Sequence, residues 1–401
     1  MTAGSAAAVD AGARGDEVRI GIALSAMGFV LAGLGACVAI LARDLNEPTS
    51  RLTLLSSGFA IGLMLVAFAG PWLLRRWPVT TVLGFGSVVC AVGAVLIAVG
   101  PTYAAVIGGG LLVGLGGALL VLVAPLMLNG PMADKRLSRV NAVASGVGIL
   151  APVTIGVLDG LGPSGRLAML LAAPPLLYLA LRTRRRQTAQ PATAQATDPV
   201  PVLIDSAPAV GLGRKWRRVG RRVVVDVGVG WLRVVLAVAV EFCFVVWAVA
   251  RLVASGLPTA TAALLGSSFP IGMAVGRAVG PIRWRGWSPV MPSGALAACG
   301  TLLVSLFDSP AVVALGLVVA GLGVAPLYPV TVAALVALPG LSSARLAAIG
   351  ALASGTAILL APAALAVLAR VLDLRLAYLV TLPLIAVLFV LSRRSGRSSF
   401  V

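Results

Sequence analysis

Two ionisable residues, Glu241 and Arg251, lie inside a long apolar stretch in the second half of the chain. On a helix with 100° per residue, Phe244, Ala248 and Ser255 fall on the same face as both of them. A carboxyl group held away from water can carry a proton, and a guanidinium can bind an anionic or hydroxyl-rich ligand. The two side chains are about 15 Å apart along the axis. Each therefore needs its own partner, such as water or a substrate.

Glu241 has two interpretations. In the first it couples a proton or contacts a substrate. In the second it is a structural acid paired with Arg277, whose long side chain can reach it. Arg277 lies near the end of its apolar segment, which favours snorkelling to the surface or anchoring of a gate.

Three aromatic residues are candidates for contacting a substrate: Phe244, Trp247 and Tyr328. Aromatic rings at helical spacing can stack on a ligand, but they can equally be packing residues. Tyr328 lies between Pro326 and Pro329. Prolines at such positions leave backbone carbonyls without donors, and these carbonyls can face a cavity.

Several kinds of chemistry are excluded by composition. The chain has no histidine, which removes a Ser-His-Asp triad and imidazole metal ligation. Its four cysteines are scattered singly, which argues against a disulfide framework or a zinc site. Neither Lys135 nor Lys215 belongs to a phosphate-binding loop. We therefore expect no enzyme, no cofactor and no metal site.

The elements that must position these residues are transmembrane helices. Of the 401 residues 59% are hydrophobic and 11% are charged, and the mean hydropathy is +1.05. Residues 20–42 and 103–128 contain no charge and are long enough to cross a hydrocarbon core of about 30 Å. The first run is too long for the apolar region of a cleaved signal, so it is expected to stay in the protein.

Hydropathy predicts an all-α membrane protein with twelve transmembrane helices in two pseudo-symmetric six-helix bundles. The predicted helices cover residues 20–42, 54–74, 79–99, 103–128, 141–159, 164–181, 231–255, 259–281, 288–307, 310–337, 344–369 and 374–391. The predicted domains are a tail at 1–18, bundles at 19–181 and 231–391, a linker at 182–230 and a second tail at 392–401.

The distribution of basic residues predicts the orientation. With both termini in the cytoplasm, 24 of the 31 Lys and Arg lie inside and five lie outside. The net charge of +18 then indicates attraction to anionic lipids at the inner face of a plasma membrane, rather than nucleic-acid binding. The middle of the linker is rich in Pro, Ala and Thr and is expected to be disordered.

The two halves of the chain are related by duplication. Residues 54–77 and 264–287 are identical at ten of 24 positions without a gap. The matches include Arg75 with Arg285, both predicted at cytoplasmic helix ends, where we expect them, together with Arg277, to act in gating. A membrane protein built from two related halves, with its site between them, has the architecture of a secondary transporter.

Both copies of the repeat resemble a loop of the major facilitator superfamily. GPWLLRRWP at 70–78 and GPIRWRGW at 280–287 are similar to that family's Gly-x-x-x-Asp-Arg loop between the second and third helices of each half. The Asp is replaced by Leu74 and Trp284. GLGVAPLYP at 321–329 resembles the Gly/Pro-interrupted tenth helix of the family, and NAVASGVGILAP in the fifth predicted helix is echoed by IGALASGTAILLAP in the eleventh.

Residues 240–277, which end in GMAVGR, resemble the seventh and eighth helices of the fucose-permease-like sugar symporter branch. The drug-antiporter pattern of the fourth helix is not kept, because Gly110 and Val113 stand in place of its Arg and Gln. The resemblance implies a twelve-helix transporter that works by alternating access.

The expected function is proton-coupled movement of a small organic solute, with Glu241 carrying the proton and Arg251, Phe244, Trp247 and Tyr328 contacting the substrate. Symport by a monomer in the plasma membrane is the expectation. An exporter of drugs or metabolites, and a membrane scaffold or sensor without transport, are the alternatives.

Overall fold

The computed structural model describes residues 3–52, 54–128, 133–189, 221–280, 288–341 and 343–395, and these residues form helices and no strand. Up to residue 189 the α-helices are α1 (Ala3–Asp44), α2 (Thr49–Leu52), α3 (Leu54–Arg76), α4 (Val79–Val99), α5 (Tyr103–Met127), α6 (Ala133–Gly160) and α7 (Ala173–Ala189). From residue 221 they are α8 (Arg221–Ala254), α9 (Thr259–Gly266), α10 (Ser268–Val279), α11 (Val290–Leu306), α12 (Pro310–Val324), α13 (Leu327–Val336), α14 (Ser343–Leu368), α15 (Leu374–Ala377) and α16 (Thr381–Ser395). Short 3-10 segments, Gly165–Ala172 and Tyr378–Val380, precede α7 and α16.

Within the described residues, ten helical stretches are long and apolar enough to cross a membrane. Two further apolar helices, Leu54–Gly70 and Val290–Leu306, are shorter and fall where the second and ninth spans were predicted. Helix α4 has the predicted bounds, and α5 ends one residue before its predicted end. The prediction of an all-α protein with many membrane-spanning segments is confirmed, while the count of twelve spans and the two-bundle arrangement stay predictions.

Prolines interrupt two of the predicted spans. The helix is interrupted at Ser267, between α9 and α10, because Pro270 has no N–H to donate to the carbonyl of residue 266. At the interruption the Ser267 hydroxyl donates to the Leu264 carbonyl at 2.6 Å. A second break at Ala325 and Pro326 separates α12 from α13, where the resemblance predicted an interrupted helix.

Several helices continue beyond the predicted membrane boundaries. Helix α1 already begins at Ala3, and Glu17 on this extension forms ion pairs with Arg139 at 3.0 Å and with Arg136 at 3.9 Å. Both ends of the predicted linker are also helical, because α7 continues to Ala189 and α8 begins at Arg221. The predicted disorder concerns mainly residues 190–220, which lie outside the described residues.

Glycines allow close packing within the first half of the chain. A Cβ on Gly109 of α5 would lie 2.8 Å from the Gly93 carbonyl of α4, and one on Gly110 would lie 2.7 Å from the Leu55 carbonyl of α3. Helix α5 therefore packs with backbone contact against two neighbours, which only residues without a side chain permit. The Gly-rich stretch is a packing surface.

The two halves of the chain meet along α1 with α8, α6 with α9 and α10, and α3 with α14. Two contacts, which we call the glycine seam, bring backbone against backbone. Gly35 of α1 lies so close to the Val245 carbonyl of α8 that a side chain has no space there. At Gly156 of α6, an added Cβ would lie 2.7 Å from the Ala260 carbonyl of α9. The seam joins the halves on the side where the short loops were predicted to face outward.

Candidate functional site

A cavity of about 220 Å³ lies between the two halves of the chain. Helices α1 and α6 form one side of it, and α8 and α10 form the other. Its polar wall residues are Asn141, Ser145, Glu241 and Arg277, and the remaining wall residues are apolar. A solute in this cavity would contact both halves, which is the position that alternating access requires.

Helical periodicity explains how these residues come to line one space. On α10 the wall residues Pro270, Met273, Ala274 and Arg277 are spaced at i, i+3, i+4 and i+7, so they share one face. The adjoining face carries Gly276, where an added Cβ would lie 2.7 Å from the Leu322 carbonyl of α12. Close packing at Gly276 therefore fixes the rotation of α10 that turns Arg277 towards the cavity.

Glu241 and Arg277 form an ion pair in this cavity. Glu241 Oε1 lies 3.7 Å from Arg277 Nη2, and the exposed fractions of the side chains are 15% and 43%. Arg277 Nη1 also donates a hydrogen bond of 2.8 Å to Ser145 Oγ. Because Ser145 belongs to α6, Arg277 connects an acid of its own half to the other half of the chain. The pairing in one of the two interpretations of Glu241 is present, and it occurs within the cavity.

Arg251 is in a different environment. Its side chain is 1% exposed, and Nε donates to the Val304 carbonyl at 3.0 Å. Nη2 donates to the Phe307 carbonyl at 2.7 Å and to Asp308 at 3.2 Å. The partners of Arg251 in this structure are therefore protein groups, and its contact with a substrate stays a prediction. Carbonyls at the end of α11 have no donors within their own helix, and the guanidinium provides these donors.

The aromatic candidates are mostly packing residues. The rings of Phe244 and Phe269 are stacked with centroids 5.4 Å apart, and Phe244 also contacts Tyr378 at 5.3 Å. Trp247 is buried and donates from Nε1 to the Pro362 carbonyl at 3.3 Å. A void of about 40 Å³ beside Phe244 has room for about one water molecule and not for an organic solute. Contact of Phe244 or Trp247 with a substrate stays a prediction.

Tyr328 belongs to a different helix, α13, from the other aromatic candidates, which lie on α8. It follows the break between α12 and α13. It is also within electrostatic range of Glu241. Tyr328 does not line the cavity, and its contact with a substrate stays a prediction.

Of the two paired arginines of the predicted gate, the structure describes Arg75. Arg75 lies in the last turn of α3 and is exposed, and the adjacent Arg76 lies 5.5 Å from the ring of Trp72. Arg285 lies outside the described residues. Of the two gating candidates that the structure describes, Arg277 is the one with a hydrogen bond to the other half.

Asn141 and Ser145 are the site residues that sequence reasoning missed. Their stretch, NAVASG, was noted only because it is repeated in the second half. The available sign was their spacing, since two polar residues at i and i+4 occur in the otherwise apolar stretch 140–153. That spacing predicts a polar face on the helix, but it does not indicate which part of the protein or which cavity this face contacts.

Solved structures of transporters share this fold. A bacterial homologue of the human lysosomal transporter Spinster, inward-facing and unoccupied, superposes with a TM-score of 0.65 at 12% identity over 95% of this chain and 97% of that one. A mutant of the nucleoside transporter NupG gives 0.67 at 14% identity over 96% and 100%. The peptide transporter POT in complex with sulfate gives 0.69 at 16% identity over 95% and 95%. At these identities the likeness concerns the fold alone, and no curated sequence matches this chain.

The family model for the Major Facilitator Superfamily matches residues 20–339. This range includes every wall of the cavity. The resemblance inferred from the duplicated loops is confirmed at the level of the superfamily, and a multi-pass membrane protein follows from it together with the apolar helices. The chain belongs to the Major Facilitator Superfamily, a family of membrane transporters.

Proposed function

We propose that this protein is a secondary active transporter that moves a small organic solute by alternating access and couples the movement to protons. The observation that carries the proposal is the Glu241–Arg277 pair in a cavity between the two halves, with Arg277 also bonded to Ser145 of the opposite half. Glu241 can exchange a proton, and its partner Arg277 contacts the other half of the chain. Protonation of Glu241 can therefore influence how the two halves move relative to each other.

Glu241 acts as the proton carrier in this proposal. When the carboxylate takes up a proton, its attraction for Arg277 is lost and the guanidinium becomes available to another anion. Glu241 pairs with Arg277 of α10, the phenol of Tyr328 on α13 is within electrostatic range of it, and the cavity residues of α1 and α6 carry no charge. Proton exchange at Glu241 therefore changes the charge of the whole cavity.

The arrangement in the cell is part of the proposal. Two six-helix bundles, residues 19–181 and 231–391, rock about the cavity of a monomer in the plasma membrane. The N-terminus, the 182–230 linker and the C-terminus face the cytoplasm and its anionic lipids. Arg75 and Arg285 hold the cytoplasmic side closed in the outward-facing state. Within the superfamily, residues 240–277 support a position near the fucose-permease-like branch.

Transport from a mixture of solutes tests the function, because no single candidate solute has to be chosen first. Proteoliposomes containing the full chain are given an inward proton gradient in a buffer with a broad set of sugars, organic acids, nucleosides and drugs. Mass spectrometry then identifies what accumulates. We expect at least one solute to accumulate, and Glu241→Gln to abolish accumulation while sparing exchange of the same solute without a gradient.

The matched control is Glu47→Gln, since Glu47 pairs with Arg51 in a loop away from the cavity. It should transport like the wild type. If Glu241→Gln accumulates solute with wild-type pH dependence, Glu241 is only a structural partner of Arg277 and the coupling residue lies elsewhere. If the wild-type protein accumulates nothing in either vesicle orientation, the protein is not such a transporter, and a scaffold or sensor becomes the better explanation.

A further inference from the structure

We propose that the solute is a small monocarboxylate with an apolar body, and that its carboxylate replaces Glu241 beside Arg277. This inference rests on the proposed transport function and names its substrate class. It depends on three properties of the cavity: the balance of its charges, the geometry of the Glu241–Arg277 pair and the composition of its walls.

The charges of the cavity leave room for one anion. Among its described walls, Glu241 and Arg277 are the charged residues, and together they are neutral. When Glu241 is protonated, the guanidinium of Arg277 loses its carboxylate partner and can bind another anion. One carboxylate restores neutrality. One proton and one carboxylate then move together without net charge, and no covalent bond is made or broken.

The geometry of the pair suits an exchange of carboxylates. The 3.7 Å between Glu241 Oε1 and Arg277 Nη2 is longer than a hydrogen bond, so the two charges attract each other without a bidentate contact. Ser145 accepts from Nη1. The planar fork of the guanidinium has five N–H donors and matches a carboxylate in a bidentate way. A substrate carboxylate can therefore bind Arg277 more tightly than Glu241 does in the empty cavity.

The walls favour an apolar body over a polyol. Leu24, Met27, Leu31, Phe242 and Met273 surround the pair, and besides it Asn141 and Ser145 are the polar wall residues. A sugar would bury several hydroxyl groups with too few partners, and each unpaired group costs free energy. The two methionines adapt to apolar ligands of different shapes. An amino acid fits less well, because protonated Glu241 no longer balances the charge of its ammonium group.

The volume limits the size of a solute that the cavity holds in this conformation. About 220 Å³ is below the roughly 300–1,000 Å³ of pockets that hold drug-sized ligands. A carboxylate on a short branched or aromatic body meets this limit.

Binding to the purified full chain tests the substrate class. The probes share one carbon skeleton: 4-methylpentanoate, 4-methylpentanamide and leucine, with fucose as the polyol. Titration calorimetry is done at pH 6 and at pH 8. We expect 4-methylpentanoate to bind at least tenfold more tightly than the amide, leucine or fucose, and more tightly at pH 6 than at pH 8, because the proton on Glu241 frees Arg277.

Variants separate this site from any other. Arg277→Gln should lose binding of 4-methylpentanoate, and Arg277→Lys should keep weaker binding, since it retains the charge but not the fork. Glu241→Gln imitates the protonated acid, so it should bind equally well at both pH values. Arg51→Gln is the control, because Arg51 is an exposed cation paired with Glu47 away from the cavity. It should bind like the wild type.

The outcomes distinguish this inference from the proposed function. Equal binding of the amide, tighter binding of leucine or fucose, or unchanged binding in Arg277→Gln overturns the monocarboxylate class, even if the vesicle experiment finds another solute that is accumulated with protons. Conversely, specific binding of 4-methylpentanoate by a protein that accumulates no solute would support the binding site and overturn the transport function.

Discussion

Two arginines of the second half differ in how many of their hydrogen-bond donors are engaged by protein groups. Arg251 is 1% exposed and donates to two carbonyls and a carboxylate. Arg277 is 43% exposed and makes one hydrogen bond to Ser145 and one longer ion pair. A guanidinium whose donors are engaged fixes the structure around it. One with remaining donors in a cavity can bind a ligand.

Arg251→Met should destabilise the protein without changing the affinity for a solute. The substitution leaves the Val304 and Phe307 carbonyls without their donor, and each loss costs about 1–3 kcal/mol where the group is buried. Thermal unfolding in detergent measures the loss. The control is Arg375→Met, whose pair with Asp308 is exposed, and such pairs contribute about 0–1 kcal/mol. If stability is unchanged and solute binding is lost, Arg251 is a substrate-binding residue rather than a structural one.

At the scale of elements, the glycine seam decides how closely the two halves approach. Helix α6 contacts α9 at Gly156, while Gly146, ten residues earlier on the same helix, has no atom within 4 Å of the position of an added Cβ. Replacing either glycine by alanine therefore changes helix propensity equally, but only the replacement at Gly156 changes the packing between the halves.

Gly156→Ala should hold the two halves apart at the seam, because its methyl group would lie 2.7 Å from the Ala260 carbonyl. Spin labels at Leu161, after α6, and at Val253, near the end of α8, report the separation after the exposed Cys299 is replaced by Ser. We expect a longer distance in Gly156→Ala and the wild-type distance in Gly146→Ala. The same distance in all three proteins would mean that the seam does not control the approach of the halves.

For the whole molecule, orientation follows from charge rather than from packing. Of the 31 basic residues, 24 lie on the side with the termini and the linker if both termini share one side. Translocating that many cations is unfavourable, so this side is expected to remain cytoplasmic.

A cysteine introduced at Gln195 in the linker should react with a membrane-impermeant maleimide only after the cells are permeabilised. A cysteine at Leu161, in the loop after α6, should react in intact cells, because this position is 75% exposed and is predicted to lie on the opposite side. Replacing Cys299 by Ser removes the exposed native thiol from both measurements. Labelling of residue 195 in intact cells would mean that the protein has the opposite orientation to the one predicted.

Much of the fold was predictable from the sequence because it depends on properties that each segment carries alone. Length and hydropathy placed α4 and α5 almost to the residue, since a helix in lipid satisfies its backbone hydrogen bonds internally. The repeated segments at 54–77 and 264–287 indicated two related halves and the superfamily. Glu241 was a candidate because an acid within an apolar helix is costly.

The partners of these residues were decided only by the tertiary structure. Arg251 and Arg277 are both cations in apolar helices, and the sequence does not show that one meets the end of α11 while the other meets Ser145. Ser145 was missed because its role depends on how α6 is rotated against α10. Backbone contacts such as those of Gly156 and Gly276 set these rotations, and such contacts exist only once the helices are packed together.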